Sequence, residues 1–143
     1  MEQRLSLLTL GVDDLERSRT FYEQLGWRGQ QVQETVFFQA GGMALVLWDR
    51  AKLAADVGRS DGPRGVFGGI GLAHNVRSRA EVDELVALAG SIGAAVTRAP
   101  AETFYGGYAG VFCDPDGHPW EIAHNPGLPL SSTGELTVPD FDA

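Results

Sequence analysis

The sequence predicts an α+β fold built from two βαβββ modules in tandem, and three observations predict it. A strand, a capped helix and three further strands occur in that order twice, at an offset of about sixty-odd residues. Each helix is stopped by a glycine, Gly26 in the first half and Gly93 in the second. The second half closes on a hairpin whose turn chemistry is explicit, Asp114-Pro115-Asp116-Gly117 between two apolar runs.

Residues 5–11 read as the first strand. Asp14 or Asp13 then caps a helix, because a short acceptor side chain at that position satisfies an amide of the first turn. Leu15, Ser18, Phe21, Tyr22 and Leu25 recur at helical spacing up to Gly26. Residues 27–33 and 35–40 follow as strands, and Gly41-Gly42 turns the chain into a third, 43–48. Asp56, Gly58, Asp61, Gly62 and Pro63 mark a surface connection over 52–65, with a short helical turn at 51–57.

In the second half the strand is 69–76, and Ser78-Arg79-Ala80-Glu81 is a capping box. It opens a helix with Val82, Leu85, Val86, Ala89 and Ile92 on one side. Strands at 94–99, 108–113 and 118–123 complete the module. The whole is one domain over 1–125, with module one at about 4–50, a linker at about 51–66 and module two at about 67–124. Residues 126–143 lose periodicity and read as a loosely held C-terminal tail.

Within the hairpin, Pro115 fixes φ at the first central turn position, Asp116 suits the second, and Gly117 accepts a positive φ. Beyond it, alternation places His118, Trp120 and Ile122 on one face and Pro119, Glu121 and Ala123 on the other. The aromatic marks the packed face. Glu121 therefore projects from the opposite one, the charged floor of any concavity that this face lines.

A chain of 143 residues can bury a real core without disulfides or metals. Its net charge of −8 disfavours nucleic acid and anionic membrane surfaces and mildly favours cationic ligands. The single cysteine, Cys113, excludes an intrachain disulfide and a multi-thiolate metal site, and reads as an inert buried thiol. Met1-Glu2-Gln3-Arg4 does not begin a secretory signal and no apolar run reaches membrane-spanning length, so a cytoplasmic location is expected.

The paired βαβββ units, the block Val12-Asp13-Asp14-Leu15-Glu16-Arg17-Ser18 with Phe21-Tyr22 and Leu25-Gly26, and the block Asp114-Pro115-Asp116-Gly117-His118 with Glu121 together resemble the vicinal oxygen chelate superfamily. Glyoxalase I, extradiol dioxygenases and the fosfomycin- and bleomycin-resistance proteins belong to it, and the likeness covers about residues 4–124. The resemblance implies a curved eight-stranded mixed sheet forming a cup, with helices packed outside, ligand or metal inside, and pairing of units between subunits of a homodimer. It implies metal positions on each module's first and last strands, which fall on Leu7, Val46, Gly71 and Glu121. Leu7, Val46 and Gly71 have no donor side chain, and a firmly held first-row metal needs about three or four protein donors. No metal and no other cofactor is therefore expected.

Parity places Ala44, Val46 and Trp48 with Glu121 as cup lining, joined by Leu7, Thr9, Ala73 and Asn75 from the first strands. Phe104-Tyr105-Gly106-Gly107 reads as a flap, with Tyr108 also closing the mouth. Trp27 and Trp120 read as core, and Trp48 as either core or lining. His74 falls on the helix-facing side, His118 shares Trp120's face and His124 stands at the rim, so none is read as a metal ligand.

The expected function is that of a metal-independent small-molecule binding protein, taking an aromatic or cationic ligand in an apolar cup through Glu121, Trp48, Thr9, Asn75, Phe104, Tyr105 and Tyr108. The alternative is a metal-dependent lyase or dioxygenase of the same superfamily. A third reading is a vestigial cup retained for dimerisation. No catalytic residue is assigned; if the chain is an enzyme, the resemblance implies a lyase or oxidoreductase.

Overall fold

The computed structural model describes residues 1–143. Its elements run β1 (Leu7–Val12), α1 (Leu15–Gln24), β2 (Gly29–Val32), β3 (Thr35–Ala40), β4 (Met43–Asp49), α2 (Arg50–Asp56), β5 (Leu72–Asn75), α3 (Arg79–Ser91), β6 (Ala95–Glu102), β7 (Tyr108–Cys113) and β8 (Pro119–His124). The eight strands form two four-stranded mixed sheets, one to each of two compact units. The architecture is the expected α+β pair of βαβββ modules.

The first unit comprises Met1–Gly68 together with the turn Asp114–His118. Its sheet has the order β1-β4-β3-β2, with β1 parallel to β4 and the remaining pairs antiparallel. Asp14 is the cap of α1, its Oδ1 accepting from the Arg17 amide at 2.9 Å, and Gly26 leaves the helix at φ +100°. Ser18, Phe21 and Tyr22 form the buried face of α1, which packs on β2, β3 and β4. The facing residues Val36, Phe38, Leu45 and Leu47 are buried, as are Leu10 and Val12. Tyr22, Trp27 and Phe38 cluster with ring centroids 5.7 to 6.0 Å apart, and Trp27, expected in the core, is half-buried at its edge.

The second unit comprises Gly69–Cys113 and Pro119–Ala143, with sheet order β5-β8-β7-β6. Ser78 Oγ accepts from the Glu81 amide at 3.2 Å, while Glu81 reaches back to the amide of Arg77, one residue before the cap. Val82, Val86 and Ala89 line the buried face of α3, which packs on β6, β7 and β8 where Phe112, Trp120 and Ile122 are buried. In the tail, Leu130 bridges Leu136, and Arg77 Nη2 donates to the carbonyls of Ser131 and Ser132 at 2.9 and 3.2 Å.

Two strands depart most from the sequence reading: β5, expected over 69–76, is confined to Leu72–Asn75, and β6 is displaced toward its C-terminal end. In the sequence reading β6 ends at Ala99, before Pro100, yet it runs on to Glu102. Proline is tolerated because β6 is an edge strand, and the ladder to β7 shifts register between Val96 and Arg98 and again between Arg98 and Ala101.

Candidate functional site

The register of the second sheet fixes which side chains share a face. Ala73 pairs with Glu121 and Glu121 with Val111, so these three lie on one side, with Asn75, Ala123 and Ala109 in the next row. That is the side away from α3. Glu121 and Asn75 are both half-buried there, as parity predicted.

Glu121 is not the lone charge that the sequence suggested. Arg98 Nη2 donates to Glu121 Oε2 at 3.1 Å, with side-chain exposures of 49% and 38%, so both groups remain accessible to a solute. Arg98 reaches this face only because of the first register shift. Val96 pairs with Phe112, and regular alternation would set Arg98 opposite Gly110, on the α3 side. Instead Thr97 is an extra residue, Arg98 pairs with Val111, and its side chain emerges beside Glu121. Gly110 accommodates the irregular segment: a Cβ there would come within 2.9 Å of Pro100 Cγ. The proline within a strand pattern was the available signal for this bulge and hence for Arg98.

On the first sheet, Thr9 pairs with Val46 and Val46 with Phe37, while Gly11 pairs with Trp48. Thr9, Val46 and Trp48 thus share the face away from α1. The Trp48 indole N–H is buried and makes no hydrogen bond. Glu34 is close by. The hydrogen bond from Lys52 holds its carboxyl below the usual range against the opposing effect of desolvation, with a smaller lowering from the approach of the Trp48 indole N–H, which falls short of hydrogen-bond geometry.

The aromatic residues of the β6–β7 connection divide. Phe104 is fully exposed, and its ring meets that of Tyr105 edge-on at 5.3 Å. Tyr108 is a correction to the expected lining. It pairs with His124, opposite in parity to Val111 and Glu121, and its hydroxyl donates to Asp83 of α3 at 2.8 Å. Its ring also lies 5.2 Å from the Arg79 guanidinium of the same helix. Tyr108 therefore serves the helix side of the sheet.

The residues do not fit a metal ion. In the first unit, Leu7 and Val46 have no donor atoms; in the second, Gly71 has none and Glu121 is engaged by Arg98. No group of three or more His, Cys, Asp or Glu side chains converges anywhere in the chain. His74 pairs with Ile122 on the helix-facing side, and His124 Nδ1 lies 3.4 Å from the Val76 carbonyl. His118 is committed to the turn, where it pairs with Asp114 at 2.8 Å.

That turn carries a polar network which sequence reasoning took only for turn chemistry. Asp114 Oδ2 accepts from the Tyr22 hydroxyl at 2.6 Å, and Oδ1 accepts from the amides of Asp116 and His118 at 3.0 and 2.9 Å. Burial pushes the Asp114 carboxyl up, but the hydrogen bond and charge of His118, with Tyr22 and the backbone amide, outweigh it and hold the group below the usual carboxylate range. Asp116 accepts from Ser18 Oγ at 2.7 Å, Arg17 Nη2 at 3.0 Å and the Asp13 amide at 2.9 Å. Ser18 and Tyr22, one helical turn apart on α1, are the partners that a buried polar stripe might have disclosed.

Residues 4–122 match the family described as Glyoxalase/Bleomycin resistance protein/Dioxygenase superfamily. The chain is similar to a glyoxalase-related enzyme from Fulvimarina pelagi, at 38% identity over 97% of this chain and 100% of that one, with a TM-score of 0.89. It is also similar to a hypothetical protein from S. aureus, at 28% identity over 87% of this chain and 94% of that one, with a TM-score of 0.77. A lactoylglutathione lyase from Agrobacterium tumefaciens, 23% identical over 86% of this chain and 94% of that one with a TM-score of 0.62, shares the fold. No curated protein matches. By the span of that family match and by the duplicated βαβββ architecture, the chain belongs to the glyoxalase/bleomycin resistance protein/dioxygenase superfamily.

Proposed function

We propose that this member of the superfamily binds a small organic molecule, and that it does so without a resident metal ion. The observation that carries this reading is the Arg98–Glu121 pair. The one carboxylate at a position where the superfamily resemblance implies a metal ligand already has a cation, and Leu7, Val46 and Gly71 supply no donor to compete with it. Ala73 and Val111, the accessible neighbours of the pair, suit an apolar body, while Glu121 and Asn75 supply the polar contacts that fix orientation. Separately, half-buried Trp48 on the first unit offers a ring on which an aromatic group stacks.

The relative at 38% identity is described as an enzyme, which favours a second reading in which the bound molecule is also transformed. The residues present assign no group to that step.

The test is a thermal-unfolding screen of aromatic and amphipathic amines and acids, run with a chelator present. A ligand at a hundredfold over its Kd stabilises the native state by about 2.7 kcal/mol, and that gain should persist in the chelator. Stabilisation that appears only when a divalent cation is added would overturn the metal-independent reading.

A further inference from the structure

The bulge in β6 brings two opposite charges together on a face that otherwise carries small apolar residues and Asn75, and leaves most of their bonding capacity unused. Arg98 Nη2 and Glu121 Oε2 bond to each other, which leaves Arg98 Nε and Nη1 and Glu121 Oε1 available to a third party. From this we propose that the site recognises a zwitterionic head group of the α-amino acid type, with an apolar side chain. The inference rests on the small-molecule reading above and names its ligand class.

In this arrangement the ligand carboxylate accepts from the free edge of the Arg98 guanidinium, whose planar fork matches a carboxylate. The ligand ammonium donates to Glu121 Oε1. The charges alternate around a closed figure, so the ligand need not break the existing pair. An α-amino acid places its two charged groups on one carbon, and therefore close enough to meet partners that are themselves 3.1 Å apart.

Two simpler ligand classes satisfy only half of the site. A bare cation meets Glu121 but also the positive field of Arg98. A bare anion meets Arg98 but also Glu121, and it approaches a chain of net charge −8. A molecule with no net charge avoids that long-range penalty, which in physiological salt decays over about 8 Å, and gains from both local charges. Ala73 and Val111, which pair with Glu121 across the sheet, flank the charged pair and give the side chain a small apolar bed.

The experiment is a calorimetric titration of the full chain with three probes of similar shape: L-phenylalanine, L-phenylalaninamide, which lacks the carboxylate, and 3-phenylpropionate, which lacks the ammonium. L-Phenylalanine is expected to bind at least about tenfold more tightly than either analogue, since each has lost a charge-assisted contact. Arg98→Gln should remove its advantage over the amide, and Glu121→Gln its advantage over 3-phenylpropionate. Arg98→Lys, which keeps the charge but not the fork, should fall between. Circular dichroism of each variant checks its fold, and both side chains are exposed enough for the fold to tolerate these changes.

Binding of the amide as tight as that of the amino acid would overturn the zwitterion and leave a cation-binding protein, with the small-molecule reading intact. Failure of all three probes to bind would overturn the amino-acid class. The wider reading would then stand or fall on the chelator screen, which uses chemically unrelated compounds.

Discussion

Tyr22 on α1 donates a 2.6 Å hydrogen bond to the buried carboxylate of Asp114, a residue of the turn between β7 and β8. The bond joins an aromatic core residue to a carboxylate that also accepts from His118, so its loss is felt by the whole turn. Tyr22→Phe keeps the ring in its cluster and removes one hydrogen bond to a charged group. It should lower the unfolding free energy by about 1.5–3 kcal/mol in urea titrations. A loss below about 0.5 kcal/mol would show that the turn is held without the hydroxyl.

Acid should act through the same carboxylate. The folded-state pKa of Asp114 lies below its unfolded value, so the associated stability is fully present above the unfolded pKa of about 3.9. It is lost as pH falls through the lower folded value. The melting temperature of wild type should therefore drop below about pH 4 more steeply than that of Asp114→Asn, which is less stable at neutral pH but lacks this titration. Parallel curves would remove Asp114 from the acid response.

Gly110 is the test of the bulge. A methyl group there meets Pro100 atoms at 2.9 and 3.1 Å, including its backbone nitrogen, so the segment that aims Arg98 must shift. Gly110→Ala is expected to destabilise by about 1–3 kcal/mol, as overpacked sites do. It should also weaken whatever ligand depends on Arg98, and unchanged binding would separate the bulge from the site.

Much of the architecture was legible because its signals are local. Asp14 and Ser78 as caps, Gly26 and Gly93 as stops and the alternation around Glu121 each follow from a few neighbouring residues, and each is found in the structure. The candidate site was legible only in part. Alternation correctly set Glu121, Ala73, Asn75, Thr9 and Trp48 on the faces away from the helices, but it fails wherever a residue is inserted into the ladder. Arg98 was missed for that reason, its face being decided by Thr97. Tyr108 was misplaced because it was grouped with the loop aromatics Phe104 and Tyr105 when its parity already set it with the helix side. The partners of Asp114 and Asp116 lie about a hundred residues earlier, out of reach of any local rule.

Trp48 has a buried N–H with nothing to bond, so its polarity is a cost that its ring area must offset. Trp48→Phe removes the unsatisfied donor together with some buried area. The unfolding free energy should therefore stay within about 1 kcal/mol of wild type. A loss above about 2 kcal/mol would mean that the indole N–H is satisfied in solution.

The central claim is that Glu121 serves an organic ligand together with Arg98 and is not a metal ligand. Its most direct test is a calorimetric titration of chelator-treated protein, carrying no histidine tag, with zinc, nickel and manganese, in wild type and Glu121→Ala. The account predicts no stoichiometric binding in either protein and superimposable traces. Saturable one-to-one metal binding by wild type that disappears in Glu121→Ala would contradict it.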